Sequence, residues 1–220
     1  MTARELVSGS IPTLNPKDSG SAALAVMDEL RVSHLPIVEN GEYIGLISDT
    51  DILTFNNVSE AVGKHPLANS NAYVFENQHI YDVIRAIDSM KLTLLPVLDT
   101  PKQYIGSITL TSLSHSLPAL MNLNNPGGII ILELNDKDYL LTEIAGIVES
   151  NDAKVLGMYV TTFHDSTRME IALKINKIEI GPILQTFQRF NYSVKASYSD
   201  DTYSDSLRDR YNELMNYLNI

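Results

Sequence analysis

The chain reads as a mixed α/β protein of the α+β kind, with two copies of one folded unit followed by a smaller domain of different pattern. Three observations carry this reading. Residues 1–122 repeat themselves at an offset of about 60. A turn-rich break, Met121-Asn122-Leu123-Asn124-Asn125-Pro126-Gly127-Gly128, then interrupts the apolar pattern. Beyond it, strand and helix runs follow in the order βαββαβ.

The repeat is clearest around two Leu-Pro pairs. Arg31-Val32-Ser33-His34-Leu35-Pro36-Ile37-Val38 falls on Lys91-Leu92-Thr93-Leu94-Leu95-Pro96-Val97-Leu98, and Tyr43-Ile44-Gly45-Leu46-Ile47-Ser48 falls on Tyr104-Ile105-Gly106-Ser107-Ile108-Thr109 with one extra residue between. That residue lies in a turn, Glu39-Asn40-Gly41-Glu42 against Asp99-Thr100-Pro101-Lys102-Gln103. Turns accept insertions that packed elements do not, so the slip fits two copies of one unit. Each copy predicts strand, helix, strand, strand, helix, and a pseudo-symmetric pair of such copies leaves clefts between its halves.

In the first copy, Ala22, Ala23, Val26, Met27 and Leu30 recur at helical spacing over 21–30, with Asp18 or Ser19 as cap. The β-type run 35–38 leads into the Asn40-Gly41 hairpin signal and a strand over 43–47. A short helix opens at Ser48-Asp49-Thr50-Asp51. The second copy predicts a helix over 80–91, strands over 94–98 and 104–108, and a helix from Thr109.

Composition narrows the function. The net charge is −11 and acidic residues predominate in both halves, so the field opposes a nucleic-acid partner. The absence of cysteine excludes a disulfide framework, a thiolate metal site and a thiol nucleophile. Neither a signal-peptide pattern at Met1-Thr2-Ala3-Arg4-Glu5 nor an 18-residue apolar run is present, which predicts a cytoplasmic protein without a membrane partner.

Ser48 and Asp51 stand three apart at a helix start and so share one face. A carboxylate there can accept two hydrogen bonds from a ribose diol, and the unpaired N–H groups of a helix N-terminus suit a phosphate. The same pair also suits plain helix capping, and both readings stand.

Leu35-Pro36-Ile37-Val38 followed by Gly45-Leu46-Ile47-Ser48-Asp49-Thr50-Asp51 resembles the CBS domain, whose signature is a His-Leu-Pro-Val-Val-like strand and then Gly-Ile-Val-Thr-x-x-Asp. CBS domains occur in tandem, two forming a disc-shaped module with two clefts. The resemblance implies repeats at 1–60 and 61–122 and a ligand cleft built from His34, Leu35, Pro36, Ser48 and Asp51, closed by Gly63, Lys64 and His65. Lys64 and His65 would supply positive charge to a phosphate, against the plainer reading of Lys64 as a solvated linker residue and His34 as a partly buried edge residue. The second cleft, with Leu95, Pro96, Thr109 and Ser112, departs from the pattern. Ser112 replaces the carboxylate and cannot grip a diol in the bidentate manner, and Leu94 replaces His34. The two clefts are therefore expected to differ, the second being the weaker.

In the C-terminal region, strands are predicted over 129–134, 155–163, 169–175 and 192–196, with helices over 139–150 and 180–190. That is the order of a ferredoxin-like sandwich, assigned to 128–199. Joined to a CBS pair, such a domain resembles an ACT domain, and the whole chain resembles the cytoplasmic CBS–ACT regulatory proteins named by analogy with acetoin utilisation. ACT domains carry Asp-x-Pro-Gly-x-Leu-like residues where an amino acid docks. Here Asp136 fits, but Tyr139 stands near the glycine position, which sets amino acid binding against a structural or dimerising role. A polar stretch from Asp200 leads to an amphipathic helix over 204–220, with Leu207, Tyr211, Leu214, Met215 and Leu218 on one face.

No metal-protease, nucleophile-elbow or phosphate-loop motif occurs, and His79, His115 and His164 are expected at the surface, with Glu143 and Glu149 on a solvated helix face. The expected function is a non-catalytic regulator without a cofactor or metal, binding AMP, ADP or ATP as its ligand and forming a homodimer. S-adenosylmethionine is a competing ligand, and a ligand-free interaction scaffold the competing class.

Overall fold

A computed structural model describes residues 1–8, 11–67, 70–99, 103–163 and 167–199. His164 and the helix expected over 204–220 lie outside the described residues. The chain divides into two compact units, Met1–Leu117 and Pro118–Ile220.

The first unit opens with α1 (Ala3–Leu6), α2 (Gly20–Leu30), β1 (His34–Glu39), β2 (Glu42–Ser48) and α3 (Asp49–Leu53). After a 3-10 turn at Val62–Lys64 come β3 (Val74–Phe75), α4 (Ile80–Met90), β4 (Leu94–Leu98), β5 (Tyr104–Thr109) and α5 (Leu110–Leu120). Ser19 caps α2, its Oγ accepting from the Ala22 N–H at 3.2 Å, while Asp18 accepts from the Asn15 N–H at 2.7 Å. Both α2 and α4 stop on a left-handed cation, Arg31 and Lys91, each with φ of 53°. The hairpin turn has positive φ at Asn40 and Gly41, which a two-residue type I′ turn requires.

The two copies match in detail. β1 pairs antiparallel with β2 and β4 with β5, with irregularities at Ile37/Val38 and at Val97/Leu98. The leading strand survives as β3, parallel to β4, in the second copy. In the first it shrinks to Leu14, whose N–H donates to the Pro36 carbonyl and whose carbonyl accepts from the Val38 N–H, both at 2.8 Å.

The copies also exchange their leading segments. The Ala3 and Arg4 N–H groups donate to the Gln78 and Glu76 carbonyls, and the Ile80 N–H donates to the Met1 carbonyl. Correspondingly, Val62 and Gly63 donate to the Asp18 and Pro16 carbonyls, and Gly20 donates to the Glu60 carbonyl. Residues 1–8 thus dock on the second repeat and residues 60–67 on the first.

The second unit holds β6 (Ile129–Asn135), α6 (Leu141–Glu149), β7 (Val155–Thr162), β8 (Arg168–Ile175), α7 (Gly181–Arg189) and β9 (Ser193–Tyr198). Its sheet runs β7-β8-β6-β9, every pair antiparallel, which is the ferredoxin-like arrangement. Alternation puts Ile130, Leu132 and Leu134 of β6 and Ile171, Leu173 and Ile175 of β8 on one face, buried under Ile144, Ile147 and Val148 of α6 and Ile183 and Phe187 of α7. α6 starts later than the sequence pattern suggests. Asp136–Asp138 form a 3-10 turn, and the Asn135 side-chain amide donates to the Asp138 carboxylate at 3.2 Å.

Two substitutions test this packing, both read by chemical denaturation of the full chain. A Cβ at Gly63 would lie 2.8 Å from the Pro16 carbonyl oxygen, so Gly63→Ala is expected to destabilise the first unit by about 1–3 kcal/mol. Phe187 has no exposed surface and meets Tyr192 edge to face, so Phe187→Ala is expected to destabilise the second unit by about 3–5 kcal/mol.

Candidate functional site

The hairpin of β1 and β2 sets His34 directly opposite Ser48. Ser48 is both the last residue of β2 and the N-cap of α3. Its hydroxyl accepts from the Asp51 N–H at 3.0 Å and donates to the Asp51 carboxylate at 2.7 Å. The same carboxylate oxygen accepts from the Ser48 N–H at 3.0 Å, completing a reciprocal capping box. The pair therefore caps the helix. Only Oδ2 of Asp51 takes part in the box, which leaves the geometry compatible with a further acceptor role.

The expectation of a phosphate at this helix start meets an obstacle. α3 has five residues, too short for much of a dipole, and its leading N–H groups are already engaged. Besides Ser48 and Asp51, the Asp49 N–H donates to the Ser33 carbonyl and the Thr50 N–H to the Asp49 side chain. Two carboxylates, Asp49 and Asp51, make the spot acidic. It suits hydroxyl donors such as a diol rather than an anion.

The second copy repeats the box without the charge. Thr109 and Ser112 exchange backbone N–H and hydroxyl bonds, both at 3.0 Å, and the Ser112 hydroxyl also donates to the Thr109 carbonyl. The Leu110 N–H donates to the Thr93 carbonyl, as that of Asp49 does to Ser33. Backbone and caps are alike in the two copies, and the carboxylates belong to the first alone.

The remaining residues fall in three settings. Leu35, Pro36, Leu95 and Pro96 are buried in the strands, so what the two prolines and leucines offer a ligand is backbone. Gly63 and Lys64 are exposed on the 3-10 turn held against Pro16 and Asp18. His65 stacks on Phe55, ring centroids 3.4 Å apart and 10° from parallel, with its Nε2 3.4 Å from the Glu60 carboxylate.

His34 is 9% exposed. Its Nδ1 accepts from the Thr93 N–H at 3.3 Å and lies 3.0 Å from the Thr93 hydroxyl, which itself accepts from the Ser33 N–H at 2.9 Å. Burial pushes the imidazole pKa down, and the nearby Asp49 and Asp51 carboxylates work against that. Sequence reasoning missed this contact between the repeats.

In the second unit, Glu133, Asn135, Lys137, Asp138, Glu143 and Tyr192 border a cleft of about 540 Å³ beside the loop that holds Asp136. Glu143 is not a freely solvated face residue as expected. It is half-buried and accepts from the Tyr192 hydroxyl at 2.6 Å, and burial together with this carboxylate raises the phenol's pKa. Tyr139 leans into the core, its hydroxyl 4.0 Å from the Met158 sulfur. His79 and His115 are exposed as expected, and His79 also caps α4, its Nδ1 accepting from the Tyr81 N–H. Among the described residues no group of three or more His, Cys, Asp or Glu is placed to hold a metal ion, and no helix is long and apolar enough to cross a membrane.

Known proteins bear on the first unit. Residues 3–56 match the model of the CBS domain family. An inosine-5'-monophosphate dehydrogenase from Methanocaldococcus jannaschii is 26% identical over 109 residues, covering 49% of this chain and 22% of the relative. The chain thus spans about a fifth of that protein's length. Among solved structures, a CBS domain pair/ACT domain protein from Thermotoga maritima is 16% identical, covering 55% of this chain and 98% of that one at a TM-score of 0.49. The structure of CBSX2 in complex with AMP is 21% identical, covering 54% of this chain and 97% of that one at a TM-score of 0.47. The first repeat is the part that matches the CBS domain, and the second is its internal copy in sequence and in strand register.

Proposed function

We propose that this chain is a non-catalytic regulatory sensor that binds an adenosine-containing ligand, AMP, ADP or ATP, in the cleft of its first repeat. On this reading it works in the cytoplasm as a homodimer, with repeats at 1–60 and 61–122, an ACT-like domain at 128–199 and a closing helix at 204–220, in the manner of the acetoin-utilisation type. The ligand acts as a regulator rather than a cofactor, and neither nucleic acid nor membrane is a partner.

The observation that carries the reading is the charge difference between two otherwise matching caps. Asp51 stands where Ser112 stands in the copy, inside a box that either residue can complete. Capping alone does not require a carboxylate there, whereas a bidentate acceptor for a ribose diol does. The match of residues 3–56 to the CBS domain supports the same site. Since the leading N–H groups of α3 are engaged, phosphate is assigned to Lys64 and the adjoining turn, with His34, Leu35, Pro36, Gly63 and His65 lining the rest.

S-adenosylmethionine would satisfy Asp51 through its own diol and lacks a phosphate for Lys64. A panel of AMP, ADP, ATP and S-adenosylmethionine in calorimetry and thermal shift separates these ligands. A ligand at 100 times its Kd is expected to add about 2.7 kcal/mol of stability. Asp51→Ala is expected to weaken the bound nucleotide by roughly tenfold or more, from loss of charge-assisted hydrogen bonds worth about 1.5–3 kcal/mol. Unchanged affinity in that variant overturns the site, and no shift with any adenine compound overturns the sensor in favour of a scaffold.

A further inference from the structure

The duplicated unit has a seam, and its polar contacts are unequal on the two sides. At the equivalent positions 33 and 93, Ser33 gives its N–H to the Thr93 hydroxyl, and Thr93 gives its N–H to the side chain of His34. Leu94, the counterpart of His34, has no polar atom to return. The His34 imidazole thus supplies the seam with a side-chain acceptor that its counterpart in the other copy lacks.

The chemistry of that imidazole is fixed by its partners. A backbone N–H can only donate, so the Thr93 N–H requires an unprotonated Nδ1. The Thr93 hydroxyl oxygen accepts from the Ser33 N–H, and with Nδ1 unprotonated the hydroxyl hydrogen is the one that can lie between that oxygen and Nδ1. The ring is thus neutral with its hydrogen on Nε2. A proton added at Nδ1 would set N–H against N–H, strip the Thr93 amide of its acceptor and place a cation where 9% of the residue is exposed.

We propose that His34 and Thr93 form a proton-operated latch between the two repeats, closed while His34 is neutral and opened when Nδ1 takes a proton. The charged groups acting on the ring are Asp49 and Asp51 of α3. β2 sets the uncharged Ser48 opposite it, and the other repeat presents the uncharged Thr93. The two carboxylates favour the proton and the hydrogen-bond geometry opposes it, with burial tipping the balance toward the neutral ring.

The sign follows from linkage. The folded-state pKa lies below the ordinary imidazole value of 6.5, so the unfolded chain binds the proton first. The contribution is fully present above pH 6.5 and is lost as the pH falls from there through the folded pKa.

The test needs no nucleotide, so the latch and the sensor reading fail separately. Long-range ¹⁵N–¹H spectra of the full chain at pH 8 are expected to show His34 as the Nε2–H tautomer. On acidification below pH 6.5, the unfolding equilibrium of the wild type is expected to shift toward the unfolded state by up to about tenfold per pH unit more than that of His34→Leu. The four other histidines are common to both proteins and cancel. Thr93→Val, which removes the hydroxyl donor, is expected to raise the pKa of His34. An Nδ1–H tautomer, a ring already charged at pH 7, or parallel pH profiles for wild type and His34→Leu each overturn the latch. Where His34→Leu does not fold, the tautomer and titration of the wild-type ring decide alone.

Discussion

Neither repeat of the first unit completes its own structure, and everything else in that unit depends on this. Residues 1–8 begin the first copy in sequence but form backbone hydrogen bonds with residues 76–80 and Ser107 of the second. Residues 60–67 do the reverse, and at Gly45 and Gly106 the close approach of Leu67 and Val7 repeats the exchange. A swap of this kind makes the halves mutually dependent. Either half alone would leave backbone donors and an apolar strand face without partners, each such buried donor costing about 1–3 kcal/mol. The pseudo-two-fold arrangement follows from backbone accounting before any side chain is considered.

Within that frame, the side chains introduce asymmetry at a few places only. The caps of α3 and α5 share a hydrogen-bond plan, yet the first contains Asp49 and Asp51 where the second contains Leu110 and Ser112. His34 stands where the second copy has Leu94, and Arg4 pairs with Glu76 where the first copy has Pro16 at the corresponding carbonyl. Backbone constraints hold the copies alike, while side chains beside the caps are free to diverge. That is how a duplicated fold acquires one cap with carboxylates and one without, on a shared backbone plan.

The repeat, the hairpin and the element order of the second unit were legible in the sequence because each leaves a local signature. Leu-Pro pairs recur at a fixed offset, Asn40-Gly41 takes the positive φ values its type predicts, and β6 and β8 alternate apolar residues toward one face. The exchange of leading segments was not legible. It consists of backbone bonds between residues far apart in the chain, such as Arg4 with Glu76 and Gly63 with Pro16, and such bonds have no composition of their own. The saturation of the α3 N–H groups was hidden for the same reason, since one of its acceptors is the Ser33 carbonyl. Glu143 sits on the outer face of α6 by periodicity, and only the chain's return at Tyr192 turns that position into a half-buried acceptor.

The placement of the cap and the seam bears on how a ligand could be read out. From Asp51, bonds lead to Ser48, and the adjoining Asp49 N–H reaches the Ser33 carbonyl. Across the same residue, the Ser33 N–H reaches Thr93, whose carbonyl accepts from the Leu110 N–H at the start of α5. One residue, Ser33 or Thr93, thus lies between each cap and the seam. A ligand that draws on the Asp51 carboxylate acts on the group that fixes the geometry of this short path. It can shift the two halves only by as much as its affinity differs between their arrangements, however tightly it binds. On the proposed site, the carboxylate confined to one cap would supply that difference, because a ligand held by it would pull on one side of the seam and leave the other side, with its uncharged Thr109 and Ser112, as it was.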